Sequence, residues 1–218
     1  LSALASGFVS SSATVATMGM AVREGRGAAR PMAGAALLSC VGTLVQMPLL
    51  AAAVQVAWVP VLLMPALAGA ALALLWGMWM VRGTVPASKG AQAAQPLAGD
   101  GRMFSLRSAA LVAAMLTGIQ ALVYGMGLWL GPEGLRAGTL LASLAELHSA
   151  VAAVMAATLP GDAQGAQATI ALALGVHALS KCVNAGITGG WRYALALAPG
   201  LLGHTTLVAA WLGWAHLR

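Results

Sequence analysis

The stretch Leu141-Ala-Ser-Leu-Ala-Glu-Leu-His-Ser-Ala-Val-Ala-Ala153 decides how this chain is to be read. It has the make-up of a single helix of small and aliphatic residues, with Glu146 and His148 near its middle. No lysine or arginine lies close enough in sequence to neutralise the acid. An acid in such a helix means one thing in water and another in lipid, so the solvent has to be settled first.

Composition settles it. Apolar residues make up 60% of the chain and charged residues 7%, where soluble domains carry roughly a quarter charged. With a mean hydropathy of +0.87, the remaining residues cannot cover a water-soluble surface. The sequence describes an integral membrane protein. Its 27 glycines suit helices that pack closely in lipid, where no hydrophobic force drives them together. The net charge of +6 reads as basic loops collected on one side of a bilayer, and no nucleic-acid partner is expected. Cys40 and Cys182 lie in apolar runs without CxxC spacing, which implies neither a disulfide framework nor a zinc site. No cofactor is implied. The chain starts at Leu1 without a cleavable signal pattern, and it reads as part of a longer protein.

A membrane-spanning helix needs about 20 apolar residues. Seven stretches meet that length: about 4–22, 32–55, 57–81, 106–130, 135–159, 164–189 and 192–216. The first is the most polar, with Ser10, Ser11, Ser12, Thr14 and Thr17. The stretches are too long and too rich in alanine and leucine for strands, and they lack the alternation of a barrel. The expected fold is therefore an all-α polytopic bundle of about seven helices. Residues 82–105, with Pro86, Lys89, Gln92, Gln95, Pro96 and Asp100, read as a linker. Seven alternating spans would put Arg23, Arg26, Arg30, Arg82, Lys89, Arg102, Arg107 and Arg218 on one side. Only Arg136 and Arg192 would remain on the other. The positive-inside rule then makes the 82–105 loop and the C-terminus cytoplasmic.

The chain also resembles itself. Pro65-Ala-Leu-Ala-Gly69 with Trp76 and Trp79 matches Pro199-Gly-Leu-Leu-Gly203 with Trp211 and Trp214. At nearly the same offset, residues 7–16 lie over 143–152, and 38–46 over 173–181. This divides the chain into a first repeat (1–81), the linker (82–105) and a second repeat (106–218). An offset of four helices makes the repeats parallel, an arrangement known among transporters.

An ionisable group at bilayer depth costs about 2.5–3.5 kcal/mol on insertion scales and usually faces a partner inside the bundle. His177, Lys181 and Asn184 fall at i, i+4 and i+7, a polar stripe on one face of the sixth helix, with Ser180 beside it. Glu146 and His177 lie at similar distances from the Gly161-Asp162 turn, so they should sit at similar depth. Glu146, His177, Lys181 and Asn184 are the expected ion or proton pathway, with Glu146 carrying charge and Lys181 opposing it. The alternative is a buried ion pair that only fixes helix register. His148, two residues from Glu146, should point about 200° away from it around a helix. His148, Ser10, Ser12 and His204, which follows the Pro199-Gly200 pair, are secondary candidates. Whether a metal binds is open. No GxSxG elbow supports an intramembrane hydrolase, so an enzyme is not expected.

The run Gly7-Phe-Val-Ser-Ser-Ser-Ala-Thr-Val-Ala, followed by Arg23 and Arg26, resembles the membrane domain that follows MgtC/SapB domains in bacterial proteins. Leu144-Ala-Glu-Leu-His-Ser-Ala and Ala178-Leu-Ser-Lys-Cys-Val-Asn are similar to motifs of that family's second half. The resemblance implies a bacterial inner-membrane protein with a link to magnesium, and an MgtC/SapB domain preceding Leu1. The expected function is a transporter-like or channel-like domain for a small inorganic ion, with proton coupling as one mechanism. The rival is a non-transporting regulator that binds another membrane protein or a second copy of itself.

Overall fold

The computed structural model describes residues 2–82, 106–158 and 164–215. It is all-helical: α1 (Ser2–Arg23), α2 (Ala29–Val54), α3 (Val59–Val81), α4 (Leu106–Ser143), α5 (Leu147–Ala157), α6 (Gln164–Gly189) and α7 (Trp191–Ala215). A single 3-10 turn, Val56–Trp58, leads into α3. Five segments are long and apolar enough to cross a membrane: 29–54, 56–81, 113–143, 165–189 and 191–214. Large apolar side chains cover the outside, among them Val56, Leu128, Trp129, Ile187 and Trp214. A surface of this kind is stable against lipid rather than water. The linker expected at 82–105 and the turn at Gly161-Asp162 fall almost wholly outside the described residues.

Contacts between helices fix which ends share a side. The Arg23 guanidinium donates to Ile187 O at 3.1 Å, and a methyl placed on Gly189 would sit 2.8 Å from the Cα of Gly19. Gly34 of α2 lies against Gly77 and Met80 of α3. One end of the bundle therefore gathers the α1–α2 turn, the end of α3 and the α6–α7 turn. At that turn Gly190 adopts φ 79, which glycine tolerates without strain. At the opposite end, Gln55 Nε2 and Trp58 Nε1 both donate to Thr158 O, at 3.1 and 3.0 Å. Gly69 packs on Val208 and Gly200 on Trp76, so α3 and α7 are antiparallel.

This geometry corrects three expectations. Residues 135–159 are not one helix. The chain reverses at Gly131 (φ 68, ψ −156), and the later limb of α4 folds back on the earlier one, Gly134 against Met126 and Gly138 against Val123. The chain then breaks again before α5. Leu140 and α5 pack into the apolar cluster around Met47, Trp58, Leu62 and Met155, at the Thr158 end. The later limb and α5 thus form a short hairpin whose tip lies at mid-bundle, with Ser143 and Leu147 buried and Leu144 exposed.

Because this hairpin leaves by the end it entered, the ends of the helices stop alternating. Arg192 joins Arg23, Arg26, Arg30 and Arg82 at one end, and the end of α7 lies at the other, opposite Arg82. The end of α3 at Arg82 and the C-terminal end of α7 therefore do not share a side, contrary to the expectation that seven alternating spans set. The matched helices also run in opposite senses. From Ser11 onward α1 lies parallel to α6, with Ser11 beside Lys181 and Arg23 beside Ile187. By the same test α5 is parallel to α2, with His148 beside Thr43 and Thr158 beside Gln55. Since α2 and α6 are antiparallel, the matched helices do not run parallel as expected.

Candidate functional site at two interrupted helices

Glu146 is where the opening stretch stops being one helix. Its backbone is extended (φ −147, ψ 121), and its carboxylate accepts from His148 N at 3.0 Å and Ser149 N at 2.5 Å. It is the N-cap of α5, and it satisfies two of the amide hydrogens that a helix start leaves unpaired. The acid sits in an apolar run because the helix begins there.

The break leaves carbonyls as well as amides. Two of them are taken by the α6 stripe: His177 Nδ1 donates to Ser143 O and Ser180 Oγ to Leu144 O, both at 2.8 Å. In lipid an unpaired carbonyl is costly, so these two α6 residues make the interruption tolerable.

A second interruption lies in α1. Ser10 is extended (φ −168, ψ 110) inside an otherwise helical segment, and its hydroxyl accepts from Ala13 N at 3.2 Å, again as an N-cap. The remaining stripe residues serve this break. Lys181 Nζ donates to Ser11 Oγ at 2.7 Å, and Asn184 Nδ2 to Ser12 O at 3.3 Å. One face of α6 thus binds both interruptions. The half-helices that start at Ser11 and Leu147 leave mid-bundle toward opposite ends.

The expected Glu146–Lys181 ion pair is replaced by a relay. Glu146 Oε1 lies 3.0 Å from His148 Nδ1, and His148 Nε2 lies 3.3 Å from Thr43 O. Thr43 Oγ1 donates to Ser11 Oγ at 2.7 Å, and Ser11 accepts from Lys181. Both neighbours of the His148 ring are oxygen acceptors. The 200° separation expected for Glu146 and His148 fails because Glu146 is extended rather than helical. His204 is buried and donates through Nδ1 to Gly200 O at 2.9 Å.

A cavity of about 710 Å³ opens beside the interruptions, lined by Ser10, Ser11, Ser12, Gln46, Glu146, His148 and His177. A chamber of about 20 Å³ lies behind it, among Cys40, Thr43, His177, Lys181 and His204. His177 borders both. The sequence reading missed Thr43 and Gln46. Their one-turn spacing on an otherwise apolar helix is the signal that marks them.

A helical bundle with this exterior is a multi-pass membrane protein, built around helices interrupted at its centre. More specifically, residues 1–189 match the family described as "Domain of unknown function (DUF4010)", and the chain belongs to that family. Neither the curated proteins nor the solved structures contain a match to the chain.

Proposed function

We propose that this domain is a transporter of the alternating-access kind, moving a small inorganic ion through the central cavity. The observation that carries this reading is the meeting of two interrupted helices at mid-bundle beside a cavity of about 710 Å³. Backbone that leaves helical geometry at membrane depth is tolerated where it lines a cavity, and transporters place their substrate sites at such breaks. The opposite directions of the matched helices support a pair of inverted repeats, a basis for two equivalent access states in many transporters. Proton coupling fits the Glu146–His148 pair. The arginines gathered at the α1–α2 end favour that end as cytoplasmic, in the bacterial inner membrane that the MgtC/SapB-like motifs suggest.

The test is reconstitution of the chain in liposomes, with ion-driven currents recorded on a solid-supported membrane. Saturable currents abolished by changes at the cavity support transport. An absence of current with every cation and anion tried would instead leave a membrane interaction protein, in which the polar centre only ties helices together.

A further inference from the structure

We propose that the ion bound at the interruptions is an anion with hydrogen-bond-accepting oxygens, seated where α1 restarts at Ser11. This rests on the transport reading and specifies its cargo.

The chain has five acids, of which Asp100 and Asp162 lie outside the described residues. Glu24 pairs with Arg26 at the α1–α2 turn, and Glu133 lies beside the Gly131 turn at the opposite end. Only Glu146 is central among the described acids, and its oxygens are engaged by the α5 amides and the His148 ring. Its charge is therefore taken up at its own helix start. Lys181 has no such balance. It is 3% exposed, and the ion pairs among the described residues are Glu24–Arg26 and Glu146–His148 alone. A buried ammonium without a counter-charge is strongly disfavoured in lipid.

The same place lacks negative charge for a second reason. The positive end of a helix dipole attracts anions. At α5 that end carries the Glu146 carboxylate, whereas at Ser11 it carries only the neutral hydroxyl of Ser10. Ser11 Oγ accepts from both Lys181 and Thr43, which leaves its own proton to donate. Ser11 and Ser12 line the large cavity. Lys181 borders the small chamber, where its Nζ also lies 3.9 Å from Cys40 Sγ, and Ser11 links it at 2.7 Å to the large cavity, so positive charge stands one hydroxyl away from the open volume.

A divalent cation finds the opposite. Such ions prefer several carboxylate or carbonyl oxygens, and among the described residues no group of three or more His, Cys, Asp or Glu side chains could hold a metal.

The experiment uses the reconstituted chain with sodium held constant and HEPES as the replaced anion, stepping phosphate, sulfate or acetate. At least one of the three should give a saturable current. Lys181→Met and Ser11→Ala should each weaken its apparent affinity at least tenfold, with Lys181→Arg close to wild type. If Lys181→Met does not fold, Ser11→Ala and a Ser12→Ala variant carry the same test. Anion currents indifferent to these changes overturn the proposal. Currents that follow only magnesium or sodium, supplied as HEPES salts, overturn it while leaving transport standing. Silence with every ion overturns both.

Discussion

Glu146 illustrates how one side chain serves a local and a distant purpose. As an N-cap it stabilises α5, and replacing such a residue by alanine costs about 0.5–2 kcal/mol. As the first member of a relay it reaches Lys181 only through His148, Thr43 and Ser11. Direct contact and distant linkage give different coupling energies. A double-mutant cycle on Glu146→Gln and His148→Ala should show coupling of about 0.5–3 kcal/mol, as for residues in contact. The cycle on Glu146→Gln and Lys181→Met should give less than about 1 kcal/mol, measured by unfolding in detergent. A larger second value would mean that the two charges meet directly. The identities of these residues were legible in the sequence, because an acid and a Lys–His stripe in apolar helices stand out. Their pairings were not, since an N-cap and an ion-pair partner look alike until the backbone between residues 143 and 147 is known.

Among the elements, α2, α3, α6 and α7 begin and end within a few residues of where apolar length and turn residues place them. The interruptions were hidden because neither Ser10 nor Glu146 is flanked by glycine or proline, and the surrounding alanines suit a continuous helix equally well. Where helices touch, they do so through missing side chains. A Cβ on Gly19 would overlap Thr188 Oγ1 and lie 2.9 Å from Gly189 N, so Gly19→Leu forces α1 away from α6. Overpacking of this kind costs about 1–3 kcal/mol. The thermal midpoint in detergent should fall clearly, whereas Gly175→Ala, with open space around it, should leave it unchanged. Equal effects at the two sites would contradict the α1–α6 contact. The packing of α7 on α1 is probed by Tyr193→Phe, which deletes the 2.9 Å bond to Val15 O. Its cost should be about 0.5–1.5 kcal/mol. A neutral result would mean that water replaces the tyrosine.

Across the whole molecule, the sequence settled the solvent and the helical class but not the topology. Counting apolar segments assumes that each crosses once, and the hairpin formed by the later α4 limb and α5 breaks that assumption. Tryptophans mark the two boundaries. Trp79, with the Arg30 guanidinium 4.5 Å from its ring, lies at the arginine-rich end, and Trp129 and Trp214 are exposed toward the other. Single cysteines placed at Gly25 and Gly190, in a background lacking Cys40 and Cys182, should react with an impermeant maleimide from the same side. A cysteine at Val56 should react from the opposite side. Labelling of Gly25 and Gly190 from different sides would restore the seven-span topology.

The shortness of α5 also bears on how the chain is made. Its 11 residues extend about 16 Å at about 1.5 Å per residue, roughly half of a hydrocarbon core of about 30 Å. Emerging from the ribosome, it cannot be released into lipid alone, because the carbonyls of Ser143 and Leu144 would go with it unpaired. Their partners, His177 and Ser180, are translated 34 and 36 residues later. Insertion of this hairpin must therefore wait for α6, and the order of synthesis becomes part of the fold. A cysteine at Ala153, buried in the finished fold, in a background lacking Cys40 and Cys182, should react with an aqueous maleimide in a chain stalled before His177 and be protected once the chain extends through α6.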